Sequence, residues 1–252
     1  VTGPAAALAA LVAGAARILV FTGAGVSTAS GIPDYRGPQG VWNTRRPVDF
    51  RDFMRSAEAR RRYWQQKWED HNAFGWAPPN AVHHAVVDLE RAGKMEMVVT
   101  QNVDGLHAAA GTTPAKLVEI HGTARLVECL RCGLRSDPMQ HFATFHETGE
   151  CPRCDCGGFL KSATISFGQN LRGDDLARAY AAAEHADLVI AMGSSLVVYP
   201  AADIPLRAAA GGARYVVVNR GETDHDGNRL VTLRIDGDVG DIVPAAVRLA
   251  LV

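Results

Sequence analysis

The sequence predicts an α/β fold whose centre is a doubly wound parallel sheet. Six short apolar runs, at 18–21, 97–100, 117–120, 188–192, 215–218 and 230–235, are mostly apolar on both alternating faces. Strands buried beneath two helical layers require that pattern. The stretches between the runs are long enough for crossover helices, with helical patterns at 80–92, 174–184, 200–210 and 241–249. Clusters of glycine and polar residues directly follow the runs, at the carboxyl ends of strands where an open α/β sheet binds its ligand. Together these features define a Rossmann-like architecture.

The opening stretch, 1–16, is Ala-rich and places Leu8, Leu11 and Val12 at helical spacing, which suits a packed amphipathic helix. It lacks a basic leader region and an apolar run of membrane-spanning length, so a cytoplasmic location is expected. The strand at 18–21 runs into Gly23-Ala24-Gly25, where glycines permit a tight turn and close backbone approach to a pyrophosphate. Position 28, where the usual dinucleotide fingerprint has a third glycine, is Thr28, so an ordinary dehydrogenase match is incomplete.

Two segments interrupt the α/β pattern. Residues 36–79 are rich in Arg and aromatics, with Trp64 and Trp68 at i,i+4 spacing, and form an expected helical insertion. Arg60, Arg61 and Arg62 in this segment suit a solvated helix face. Residues 123–161 hold all five cysteines. Cys129-x-x-Cys132 and Cys151-x-x-Cys154 are two knuckles whose four thiolates can converge on a tetrahedral Zn²⁺ with no open position, making a structural rather than a catalytic site. Cys156, before Gly157-Gly158, is an alternative ligand; the knuckle spacing favours Cys154 with Cys151. The expected domains are therefore a Rossmann-like unit, 1–122 and 162–252, and a structural zinc module at 123–161.

The 252 residues carry 47% hydrophobic and 21% charged side chains, which excludes disorder for the bulk of the chain. With 26 basic and 27 acidic residues, no broad field draws the protein to nucleic acid or to an anionic membrane. Oligomeric state is not legible from sequence.

The loop after the first strand continues into Gly31-Ile32-Pro33-Asp34-Tyr35-Arg36, the later strands end in Gln101-Asn102-Val103-Asp104, His121-Gly122, Gly193-Ser194-Ser195 and Asn219-Arg220, and Ser166-Phe167-Gly168 follows the cysteine-bearing segment. In chain order, and with the cysteine-bearing insertion, they resemble the sirtuin family of NAD-dependent protein lysine deacylases over nearly the whole chain. Arg62-Tyr63-Trp64 resembles the class II branch of that family.

The resemblance implies an NAD loop of Gly23, Ala24, Gly25, Ser27, Asp34, Tyr35 and Arg36, with Tyr35 where relatives usually carry Phe. It implies that Gln101, Asn102 and Asp104 hold the nicotinamide ribose and carboxamide. Gly193, Ser194, Ser195, Asn219, Arg220 and Val239 fall on the phosphate and adenosine side, and Phe167 and Gly168 meet the substrate. His121 is the implied general base, activating a ribose hydroxyl, with Asn102 and Asp104 beside it in the catalytic set. NAD would be a consumed cosubstrate, acyl-lysine proteins the partners, and nicotinamide, deacylated lysine and O-acyl-ADP-ribose the products.

Succinyl-removing relatives pair a Tyr with an Arg three residues later. Here Gln66 follows Tyr63, so neutral acyl groups are expected to be preferred. Protein mono-ADP-ribosylation is an alternative activity using the same cosubstrate. A zinc-ribbon module on a nucleotide-sensing domain is the non-enzyme alternative.

Overall fold

A computed structural model describes residues 3–37 and 40–252 of the chain. Val1 and Thr2, in the expected N-terminal helix, and positions 38–39 of the helical insertion lie outside the described residues. The elements run α1 (Pro4–Gly14), β1 (Ile18–Thr22), α2 (Phe50–Arg55), α3 (Ala57–Phe74), α4 (Ala81–Arg91), β2 (Met95–Thr100), α5 (Leu106–Ala110), β3 (Leu117–Glu119) and β4 (Gly122–Cys129). They continue with β5 (Arg135–Ser136), α6 (Pro138–Thr148), β6 (Leu160–Thr164), α7 (Gly173–His185), β7 (Leu188–Met192), α8 (Asp203–Ala210), β8 (Arg214–Asn219), β9 (Leu233–Asp236) and α9 (Val239–Ala250).

The main sheet has the order β3-β2-β1-β7-β8-β9, and its pairings are all parallel. Both faces are covered, and the alternation along β1 shows how. Ile18 and Val20 enter one core with Leu8 and Val12 of α1, Val86 and Leu89 of α4, and Val243 and Val247 of α9. Leu19 and Phe21 enter the other with Ala179 and Ala182 of α7 and Ile204 and Ala208 of α8. A strand wet on one side would not tolerate four consecutive large apolar residues, so the apolar runs and the two helical layers imply each other.

Strand order reverses between β1 and β7, and this switch point opens a crevice at the carboxyl ends of the strands.

The usual dinucleotide fold follows its glycine loop with a helix, and two boundaries also differ from the sequence expectation. No α-helix follows the Gly23 loop; two single 3₁₀ turns, Ala24–Val26 and Thr28–Ser30, end at Gly31 with φ +85°. The helix packing beside β1 is instead α4, entered at Asn80, whose side chain accepts from the Val82 N–H as an N-cap. The last strand begins at Leu233 because Asn228 Oδ1 accepts from the Leu230 N–H and holds the preceding residues in a turn. Similarly, α8 starts at Asp203, after a turn at Pro200.

A second, antiparallel sheet, β5-β4-β6, packs with α6 against the helical insertion. Trp64 and Trp68 of α3 meet Phe142 of α6 at ring centroids 5.9 Å away, and Trp68 stacks on His146 at 5.0 Å. The i,i+4 aromatic spacing thus faces the cysteine-bearing segment. Both inserts together overhang the crevice.

Candidate active site and metal centre

Three glycines shape the floor of the crevice. A Cβ at Gly23 would stand 2.7 Å from the Gly193 carbonyl oxygen, one at Gly25 would stand 2.7 Å from Gly193 Cα, and one at Gly193 would stand 2.6 Å from the Val26 nitrogen. Gly193 also has φ +62°, which side-chain-bearing residues rarely adopt. The loops after β1 and β7 therefore meet backbone to backbone, tied by Gly25 N–H to Gly193 O at 2.8 Å.

Around this floor lies a cavity of about 860 Å³. Its walls include Gly23, Ala24, Gly25, Asp34, Tyr35, Arg36, Gln101, Asn102, His121, Phe167, Gly168, Gly193, Ser194, Ser195, Asn219 and Arg220. Motifs scattered from position 23 to position 220 are thus brought to one space. Ser27 and Asp104 stand behind the wall. Ser27 Oγ donates to Asp104 Oδ2 at 2.7 Å and accepts from Asn102 Nδ2 at 3.0 Å. The Leu106 N–H fixes the other Asp104 oxygen at 2.9 Å. This relay holds the Asn102 side chain in place at the cavity wall. Gln101 Nε2 donates to Ser194 Oγ at 2.8 Å, tying the β2 loop to the β7 loop.

Val239 alone of the sequence-assigned residues neither lines the cavity nor joins that relay. As the first residue of α9 it is buried in the core with Ile242 and Val243 and does not line the cavity, because an apolar side chain at that turn packs inward. Arg220 is mostly exposed and donates to Asp238 at 2.6 Å.

His121 follows β3, with Nδ1 3.1 Å from the Gln101 carbonyl oxygen. A carbonyl only accepts, so Nδ1 carries the hydrogen and Nε2 keeps its lone pair. Burial, helped by the Arg36 charge, pushes the His121 pKa below the usual imidazole value despite the opposing Gln101 bond. The ring is thus held as a neutral base.

Tyr35 stacks tilted on Trp42 at 4.8 Å, Trp42 meets Phe167 edge-on at 5.2 Å, and the Arg36 guanidinium lies 4.3 Å over Trp42. Burial, with Asp70 and Asp104 nearby, pushes the Tyr35 phenol up to about 12, so it stays neutral. Trp42, Tyr63, Gln66, Lys67 and Glu222 also line the cavity. Tyr63 and Gln66 are the pair that the resemblance placed at the acyl group; Trp42, Lys67 and Glu222 were not singled out in the sequence, and the aromatic and Arg richness of 36–79 was the only signal for Trp42 and Lys67.

The cysteine segment corrects one ligand. The sulfurs of Cys129, Cys132, Cys154 and Cys156 all lie within 4.8 Å of one another, and Cys151 is outside the group. The cause is the turn after Cys154. Gly157 takes φ +78° and donates to the Cys154 carbonyl at 2.7 Å, folding the chain so that Cys154 and Cys156 point the same way. At Gly158 a Cβ would meet Cys129 Sγ at 2.6 Å, so only glycine lets the strand return past the sulfurs. Cys151 instead packs, partly buried, with the apolar side chains around Phe159. Four converging thiolates fit tetrahedral Zn²⁺ and leave it no open position.

The Sir2 family model matches residues 23–200. An NAD-dependent protein deacetylase of Rhodopseudomonas palustris is 40% identical over 232 residues, covering 92% of this chain and 91% of the relative. NAD-dependent protein deacetylase 2 of Streptomyces coelicolor is 44% identical over 237 residues, covering 92% and 96%. Among solved structures, a Sir2 complex with a deacetylated p53 peptide and 3′-O-acetyl ADP ribose superposes with TM-score 0.86 at 32% identity, covering 98% of each chain. A Sir2 complex with a p53 peptide and NAD⁺ gives TM-score 0.78 at 35% identity, covering 93% of each. Sequence, fold and the placement of the motifs around one crevice converge, and the chain belongs to the Sir2 family.

Proposed function

We propose that this protein removes acyl groups from lysine side chains of other proteins, consuming NAD and releasing nicotinamide and O-acyl-ADP-ribose. The observation that carries the reading is His121: a neutral ring whose Nδ1–H is held by Gln101, with Nε2 left as a base on a wall shared with Asn102 and the glycine floor. The cosubstrate supplies an electrophilic ribose carbon, and the chain's residues provide the rest. The glycine floor, which any Cβ would fill, gives a pyrophosphate close access to backbone at Gly23, Gly25 and Gly193. Ser194, Ser195, Asn219 and Arg220 hold the phosphate and adenosine side.

Gln101 and Asn102 orient the nicotinamide ribose, with Asn102 fixed through Ser27 and Asp104. Tyr35, Trp42 and Phe167 cover the reacting end and limit water, and Asp34 shapes their loop by accepting from the Gly37 N–H at 2.7 Å. His121 then takes a proton from a ribose hydroxyl. Cys129, Cys132, Cys154 and Cys156 would hold zinc as a fold element, away from the chemistry. Protein substrates are supported by relatives named protein deacetylases and by Sir2 complexes with a p53 peptide. Among the described residues no helix is long and apolar enough to cross a membrane.

The test incubates the protein with NAD and an acetyl-lysine peptide and follows all products by mass spectrometry. Acyl loss matched by O-acetyl-ADP-ribose is the expected result. ADP-ribose gain on the peptide would assign transfer instead. No nicotinamide release from any acyl-lysine peptide would leave a binding module.

A further inference from the structure

The hydroxyls of Thr22 and Thr100 stand where apolar side chains are expected. The two residues are register partners at the ends of β1 and β2, on the face that carries Ile18, Val20 and Val98 into the core. Both are buried. A hydroxyl in such a place costs stability unless it is hydrogen-bonded, and a pair of valines would fill the same space without that cost. The two hydroxyls bond each other at 2.8 Å, and His107 of α5 closes the chain with Nε2 3.1 Å from Thr22 Oγ1. At its other end the chain accepts the Asn102 N–H on Thr100 Oγ1 at 3.0 Å.

β2 ends at Thr100, so the N–H groups that follow need partners outside the ladder. The Gln101 N–H donates to the Thr22 carbonyl at 2.9 Å, and the Asn102 N–H takes the Thr100 hydroxyl. The chain then runs through Asp104 into α5, where His107 reaches back to Thr22. The segment that carries Gln101, Asn102 and Asp104 is thus pinned at both ends to one residue of β1. Thr22, Thr100 and His107 do not line the cavity themselves.

Two serial hydroxyls transmit in either direction: Nε2–H donates to Thr22 and Thr22 to Thr100, or both bonds reverse. The chain therefore requires a polar atom where Nε2 stands, whichever tautomer the ring adopts. The other ring nitrogen, Nδ1, is buried without a hydrogen-bond partner among the described residues. An apolar ring would fill the same space beside His83 without that cost, so what histidine adds at position 107 is Nε2 alone.

On the deacylase reading above, we propose that His107, acting through Thr22 and Thr100, is a positioning residue that sets Asn102 against the reacting ribose. The Ser27–Asp104 relay fixes the Asn102 side chain, and the His107 chain fixes its backbone. His107 meets neither cosubstrate nor acyl-lysine, and its effect reaches the reaction only through Asn102.

The experiment measures kcat and KM, with NAD and an acetyl-lysine peptide, alongside thermal melts. His107→Leu should lower kcat about five- to tenfold, the worth of one hydrogen bond, with the peptide KM unchanged. His107→Gln, whose amide offers Thr22 a polar partner, should restore kcat to within about twofold of wild type. Thr22→Val breaks the chain one link further on at equal volume and should reproduce the loss even if His107→Leu fails to fold, whereas Thr22→Ser should not. The decisive comparison is made in Asn102→Ala at high enzyme concentration. There His107→Leu and Thr22→Val should change the residual kcat by less than about twofold, because the side chain they position is gone. Normal kcat in folded His107→Leu and Thr22→Val, or an undiminished loss in the Asn102→Ala background, overturns the role and leaves His107 a packing residue. Wild-type turnover separates the two readings: its presence with either of those results removes only the positioning role, and its absence removes the deacylase assignment and this role with it.

Discussion

At the scale of single residues, His121 has the sharpest consequences. Because its side chain accepts a proton and anchors little else, His121→Ala should fold normally, retain NAD binding and lose about 10²–10⁴-fold in deacylation rate. Circular dichroism, a binding isotherm and steady-state kinetics on the same variant check this, and near-normal turnover would exclude the role. The pH dependence has a definite sign. Burial lowers the folded pKa, so the base stays unprotonated below the usual imidazole value, and the acid limb of kcat/KM should fall at a pH under 6.5. A limb at or above that value would mean that another group titrates. His121 and the glycine loops were legible from sequence because each sits next to a strand end, where local patterning fixes position. Trp42 was not, since it reaches the cavity only through packing against Phe167, distant in the chain.

At the scale of elements, the parallel strands were legible because a strand buried on both faces writes a continuous apolar run. The antiparallel β4, β5 and β6 were not: Gly122–Cys129 is half wet and broken by Arg125 and Glu128, and β5 has two residues. The metal ligands show the same limit more sharply. A two-residue knuckle is a local rule, but which sulfur completes the site depends on Gly157 turning left-handed, and the pairing of Cys154 with Cys156 follows from that turn. Cys156→Ser should therefore release zinc and lower Tm by about 5 °C or more, as expected if roughly 2 kcal/mol is lost. Cys151→Ser should keep both. Metal content by emission spectrometry and a thermal melt on the two variants decide the matter; zinc loss in Cys151→Ser alone would restore the sequence-based ligand set.

At the scale of the whole molecule, a buried histidine pair joining the helices to the central sheet contributes to acid sensitivity. His83 of α4 and His107 of α5 lie with ring centres 4.8 Å apart, and His107 Nε2 reaches Thr22 Oγ1 of β1 at 3.1 Å. Burial holds His83 down to about 4 and His107 down to about 3, against an ordinary imidazole value of 6.5. The unfolded chain thus binds more protons than the folded one between these limits, and stability falls as pH drops below 6.5, by about 2 kcal/mol per histidine at pH 5. Because Glu119, raised by burial to about 7, acts in the opposite direction over the same range, the test is the difference between proteins: His83→Gln should lessen the acid destabilisation between pH 7 and 5 by about 2 kcal/mol in urea melts, and an unchanged pH profile would contradict the buried neutral pair.

The order of strands has a consequence in time as well. Ile18 pairs with Met95 on one side and with Leu188 on the other, so one edge of the central strand has no partner until the chain has grown past β7. At about 5–20 residues per second, that wait on the ribosome lasts roughly 10–30 s. Throughout it an apolar, fully extended edge is open to any other strand, and Gly25 has no Gly193 to meet. The cavity floor, built where the loops after β1 and β7 meet, can therefore form only once β7 has been made and has paired with β1.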